Sequence, residues 1–154
     1  MATGHDAGSR PPADSVLDED RSWDLLAAQE LGRLAYRIGS EQHITPINYA
    51  VDVNELGRRS LLFRTARTTK LLAAELGDEV AFEIDEVEDD TATSVVVRGY
   101  LRHLDPEEAH RAENLPLRPW LGDGRYDVVE IVPTAVTGRR FHLSRPWLRM
   151  LPEA

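Results

Sequence analysis

The chain has 154 residues, enough for one domain, and 42% of them are hydrophobic, which supports a packed core. It contains no cysteine, which excludes disulfides, zinc–thiolate centres, iron–sulfur clusters and cysteine nucleophiles and fits a reducing, cytoplasmic compartment. A formal charge of −9 argues against nucleic acid as a partner, and no apolar run approaches the roughly 20 residues of a membrane-spanning helix.

Residues 1–20 are polar and aperiodic and are expected to form a disordered tail with no apolar signal core. Ser22 is placed to cap a helix over 23–31, where Trp23, Leu26, Ala27 and Leu31 recur at helical spacing. Gly32 stands where a left-handed cap belongs. Alternation then predicts strands over 34–38 and 47–53. Pro46 cannot donate to a ladder and suggests an edge or a bulge. Asn54-Glu55-Leu56-Gly57 reads as a turn, and 60–64 as a third strand.

A short helix is expected over 68–76, with Leu71, Leu72 and Leu76 on its buried side and Gly77 closing it. Strand alternation returns over 79–84, and the acidic stretch 85–90 reads as a solvated loop. A long strand follows over 93–104, with Gly99 marking a bulge or a close approach. Asp105-Pro106-Glu107-Glu108 is a helix start, and the helix is expected to reach about residue 114. Residues 115–126 read as a loop. Two last strands, 127–132 and 134–143, end a domain spanning 21–146, and 147–154 form a tail. Short strands with few helical crossovers predict a mainly β (α+β) fold with an antiparallel sheet closed into a small barrel.

Charge is unevenly spread. Residues 75–90 hold nine acidic side chains and no basic one, so the rest of the chain is neutral. Residues 58–70 run the other way, with Arg58, Arg59, Arg64, Arg67 and Lys70 and no acid. Lys70 is the only lysine beside 17 arginines. Around it the expected order is strand, tight loop, helix start. A helix start offers unpaired N–H donors and partial positive charge, and here Thr65, Thr68, Thr69, Arg64, Arg67 and Lys70 gather at one. That is the chemistry of an anion site, most naturally for a phosphate. A simple cap at Thr68 and a plain basic surface are the competing readings. Three or four charge-assisted hydrogen bonds, each contributing about 1.5–3 kcal/mol, would hold a phosphorylated ligand at roughly micromolar affinity.

Other constellations are weaker. The five histidines lack metal-ligand spacing, and His43 is expected as an exposed residue at a strand start. The 85–90 stretch lacks the glycine and spacing of a calcium loop. No serine sits in a nucleophile-elbow context.

The run PINYAVDVNELGRRSLLFRTARTTKLLAAELGDEVAFEID, followed by TSVVVRGYLRHL, LRPW and VTGRRF, resembles the pyridoxamine 5′-phosphate oxidase-like superfamily. It is most similar to the short actinobacterial flavin-nucleotide-binding branch, over about residues 22–142. The resemblance implies a six-stranded antiparallel split β-barrel with short flanking helices. It implies a homodimer with FMN in the interface and flavin-dependent oxidoreductase chemistry on a small-molecule substrate.

Carried onto this chain, the resemblance points to Phe63, Arg64 and Thr65 at a strand end, Arg67 in the loop, and Thr68, Thr69 and Lys70 at the helix start as the phosphate-binding set. Thr69 stands where the family often has an arginine. Pro46, Ile47 and Asn48 match the strand whose backbone faces the flavin ring. Ser94 matches a position that approaches the flavin from the partner subunit, and Trp120 and Arg139 are candidates to close the pocket. Full-length oxidases of vitamin B6 carry a C-terminal arginine–histidine motif that VTGRRFHLSRPW does not reproduce securely, so that substrate is not expected. A deazaflavin-dependent reductase using Arg58, Arg59 and Arg67 for the cofactor's anionic tail, an FAD protein, and a non-catalytic flavin- or haem-binding module are the alternatives.

Overall fold

The structure, a computed structural model, describes residues 14–65, 77–113, 115–117 and 126–143. In chain order these form β1 (Ser15–Leu17), α1 (Glu19–Ala28), β2 (Leu31–Ile38), β3 (Glu41–Val53), β4 (Arg59–Thr65), β5 (Glu79–Glu88), β6 (Thr91–His103), a 3₁₀ turn (Ala109–Ala112) and β7 (Asp127–His142). The helix expected over 68–76 and the loop around 118–125 lie outside the described residues.

The strands are antiparallel and ordered β1-β7-β4-β3-β2-β5-β6, and β6 pairs back onto β7. The six strands β2–β7 therefore close a ring, as the resemblance implies, and β1 adds a short seventh strand to β7. Closure leaves few free edges, which suits strands as long as β6 and β7.

Period-2 alternation fills the ring. Leu34, Tyr36, Tyr49, Phe63, Phe82, Val95, Val97 and Ile131 point inward and are buried. Trp23 and Leu26 of α1 join them. The Tyr49 hydroxyl donates to the Leu26 carbonyl at 2.5 Å, so the helix is tied to the sheet by its backbone as well as by packing. Burial also pushes the Tyr49 phenol above its ordinary pKa. A second apolar cluster lies on the outside of β3, β4 and β7. There Ala50, Leu62 and Val128 pack against Leu104, Ala112 and Leu117.

Several local expectations are corrected. Residues 15–20, assigned to the tail, form β1 and open α1. The helix cap is Asp18, whose Oδ1 accepts from the Arg21 N–H at 2.7 Å, and Ser22 is buried one turn inside. The helix stops at Ala28, and Leu31 and Gly32 belong to β2. Gly32 is small for a packing reason: a Cβ there would sit 2.2 Å from the Phe82 ring on β5.

Residues 85–88 continue β5, because their backbone pairs with β6 while their side chains remain exposed. The β5–β6 connection is only Asp89-Asp90, with Asp89 at φ 53°, a left-handed conformation that aspartate tolerates. The helix expected from Asp105 shortens to one 3₁₀ turn, since its charged side chains bond to the sheet beneath. The two final strands are one continuous β7 through Pro133. The Gly99 irregularity is real: the β6–β7 register shifts between Arg98 and Gly99.

Candidate functional site

β3 and β4 run together only as far as Tyr49 opposite Phe63. One further step would set Asn48 opposite Arg64 and Ile47 opposite Thr65, but the ladder stops. β3 continues with β2, pairing Asn48 with Leu31 and Ile47 with Gly32. β4 continues with β7, pairing Arg64 with Val128 and Thr65 with Asp127. The barrel is split at this point. Along 41–47 the backbone edge facing away from β2 has no strand partner among the described residues.

The sequence-predicted residues distribute around this split in a definite way. Pro46 is exposed, consistent with the edge position its missing N–H requires. Ile47 is 3% exposed and Phe63 1%, so both side chains belong to the barrel core and only their backbones could meet a ligand. Asn48 is half-buried on the outer face, and its Nδ2 donates to the Glu30 carbonyl at 2.8 Å. Arg64 shares that outer face and donates from Nη2 to the Ala112 carbonyl at 3.3 Å. Thr65, one residue past the strand expected over 60–64, is the last residue of β4 and is buried. Successive strand residues face opposite sides, so Arg64 and Thr65 cannot present their side chains to one group from within the strand. Arg67, Thr68, Thr69, Lys70 and Trp120 lie outside the described residues.

Ser94 and Arg139 form a second group. They are direct partners across β6 and β7 and line a cavity of about 490 Å³ with Val96, Thr137, Phe141 and His142. Arg139 is about 35 Å of strand away from Val128, the β7 residue beside Arg64, so the two groups do not meet within one chain. Arg58 and Arg59 are likewise remote, at the other end of β4. The Arg59 guanidinium bonds Asp20 at 2.9 Å and lies over the Trp23 ring. Both arginines line a separate cleft of about 710 Å³ with Trp23, Arg102, Glu130 and Val132.

Sequence reasoning missed a polar cluster on the outside of the sheet. Glu130, 5% exposed, accepts from Ser60 Oγ at 2.7 Å, from Arg102 at 2.8 and 3.1 Å, and from Arg111. Arg111 also donates twice to Asp52, at 2.7 and 2.9 Å, and Arg102 bonds Glu108 at 3.0 Å. Burial alone would raise the Glu130 pKa. Hydrogen bonds from Ser60, Arg102 and Arg111 outweigh it and hold the carboxyl below its ordinary value. Hydrogen bonding to Arg102 likewise lowers Glu108. A lone acid, Glu130, inside the apolar run VVEIV was the available signal. His43 is half-buried and stacks on Tyr36, with ring centroids 5.1 Å apart. No group of histidine, aspartate or glutamate among the described residues could hold a metal ion, and none of the described helices is long and apolar enough to cross a membrane.

Residues 18–140 match the family model described as pyridoxamine 5′-phosphate oxidase. The Mycobacterium tuberculosis protein Rv0080 is 34% identical over 128 residues, covering 80% of this chain and 83% of that protein. A solved structure named as the FAD binding protein from Mycobacterium smegmatis superposes with a TM-score of 0.70 at 34% identity, covering 84% of this chain and 100% of that one. The Corynebacterium diphtheriae protein DIP1874 superposes with a TM-score of 0.72 at 33% identity, covering 86% of this chain and 100% of that one.

Proposed function

The chain belongs to the pyridoxamine 5′-phosphate oxidase family, and on that premise we propose that it binds FMN as a homodimer and acts as a flavin-dependent oxidoreductase. The observation that carries the reading is the parting of β3 and β4 after Tyr49 and Phe63. It sets Asn48 and Arg64 on one outer face, on either side of the split, and at Pro46 and Ile47 the β3 edge turned away from β2 pairs with no strand among the described residues. Backbone donors and acceptors of that kind suit the polar edge of a flavin ring, and the Arg64 guanidinium suits its phosphate.

Thr68, Thr69 and Lys70 follow in the sequence and would add hydroxyls and an ammonium to the phosphate. The buried Thr65 side chain is assigned no part in that contact. A bound flavin supplies the electron transfer, and the chain's residues bind and orient it. The Ser94–Arg139 cavity lies too far along β7 to serve the same chain's split, so in this reading it faces the flavin of the second subunit.

FAD is the second reading. It is favoured by the M. smegmatis structure, which is named for FAD and is 34% identical to this chain. One experiment tests both. The purified protein is expected to carry a chromophore absorbing near ~450 nm, and mass spectrometry of the released molecule identifies it as FMN or FAD. A colourless protein that also ignores added FMN and FAD overturns the proposal. Turnover of the bound flavin with NADH or NADPH separates an oxidoreductase from a storage module.

A further inference from the structure

Residues 105–113 and 115–117 lie along the outer face of β4 and touch it at three points. At the start of the strand, Ser60 shares the Glu130 carboxylate with Arg111. In the middle, Leu62 packs against Ala112 and Leu117. At the end, Arg64 donates to the Ala112 carbonyl at 3.3 Å. Ser60, Leu62 and Arg64 are alternate residues, so one face of one strand makes all three contacts. Between the anchors sits the 3₁₀ turn, and Arg111 is its clamp. The side chain reaches Asp52 on β3 and Glu130 on β7 together and is largely buried. The next residue, Ala112, offers the carbonyl that Arg64 meets.

We propose that Arg111 is a positioning residue for the flavin phosphate: it fixes the 3₁₀ turn so that the Ala112 carbonyl holds the Arg64 guanidinium beside the split. This rests on the reading that Arg64 binds that phosphate. A guanidinium has five donors in a rigid fork, and the Ala112 bond engages a donor on Nη2 while restricting a long, flexible side chain. Preorganisation of this kind strengthens binding without touching the ligand. Asp52 and Glu130, on two different strands, stop the turn from sliding along the sheet.

The test compares the dissociation constants of FMN and riboflavin, which differ by the phosphate, in wild type, Arg111→Ala, Arg111→Lys and Asp52→Asn. Flavin fluorescence is the readout. Arg111→Ala is expected to weaken FMN roughly tenfold, equivalent to about 1.4 kcal/mol, and to leave riboflavin unchanged. Arg111→Lys, which keeps one charged contact, is expected to recover part of the loss. Asp52→Asn removes charge from the clamp without changing its shape and decides the matter if Arg111→Ala does not fold. It is expected to weaken FMN about threefold, again with riboflavin unchanged.

Equal weakening of both ligands would make Arg111 a purely structural residue and overturn the inference, as would no change in either. A wild type that binds FMN while the variants keep its FMN-to-riboflavin ratio overturns this inference alone. A wild type that binds neither ligand overturns the flavin reading and this one with it.

Discussion

Ser94 and Arg139 stand directly opposite each other across β6 and β7, at the far end of β7 from the rung that joins Val128 to Arg64. A single chain therefore carries two groups of candidate residues, at Arg64 and at Ser94–Arg139, that lie at opposite ends of β7. If a dimer completes each site, one chain gives the split and the other gives the Ser94–Arg139 face. Arg64→Ala and Arg139→Ala homodimers should then both bind FMN poorly. Mixed and refolded together, they should form heterodimers in which one of the two sites is intact, restoring up to half the wild-type stoichiometry per heterodimer. Flavin titration of the mixture checks this, and a mixture that binds no better than its parents contradicts the shared site.

Gly99 marks a close approach rather than a flexible point. A Cβ there would lie 2.1 Å from the Val132 carbonyl oxygen and 2.8 Å from its carbon, both backbone atoms that cannot swing aside. Gly99→Ala should destabilise the fold by about 2–3 kcal/mol, because the β6–β7 ladder must shift to admit one methyl group. Urea denaturation measures it, and a loss below about 0.5 kcal/mol would mean that the bulge relaxes freely.

The Glu130 cluster predicts an acid limb in stability. The folded-state pKa of Glu130 lies below its ordinary value of 4.5, because hydrogen bonds from Ser60, Arg102 and Arg111 overcome the opposing effect of burial. A depressed carboxyl stabilises the fold fully above the unfolded-state value, and that stability is lost as pH falls through the folded-state value. Wild type should weaken as pH drops below about 4.5, and Glu130→Gln, already weaker at pH 7, should weaken less steeply. The gap between the two midpoints should narrow from pH 7 to pH 3. A gap constant with pH would remove Glu130 from the account of acid stability.

Much of the barrel was legible because its strands obey a simple period. Tyr49 and Val51, Leu61 and Phe63, Val80 and Phe82, and Val95 and Val97 alternate with outward residues, and each pair lies in the ring's interior. Gly99 was legible for the same reason, since a glycine interrupting such a run must serve a backbone need. Composition misled where pairing decided the outcome. Residues 85–88 look like a loop by charge, yet an outward side chain costs a strand nothing and β6 satisfies their backbone. The helix start at Asp105 was sound as a local signal, but Arg111 gains more from Asp52 and Glu130 than from a continued helix.

The candidate site was legible in part. Pro46 and the phosphate-like run around Arg64 stood out by residue type. Asn48 stood out only through the resemblance. That Thr65 turns inward while Arg64 turns outward depends on strand phase at a boundary, where one residue of extension reverses the answer. The ion cluster joins Asp52, Ser60, Arg102, Glu108, Arg111 and Glu130 from four separate stretches of chain, and no local pattern connects them.

Titration of the stripped protein with FMN, followed by quenching of flavin fluorescence in wild type and Arg64→Ala, tests the central claim most directly. Saturation at about one flavin per chain with micromolar or tighter affinity is expected for wild type. The variant should be weaker by about 1.5–3 kcal/mol, or roughly 10- to 150-fold. A wild type that shows no saturable binding, or an Arg64→Ala protein that binds FMN as tightly as wild type, would contradict a phosphate site at the split between β3 and β4.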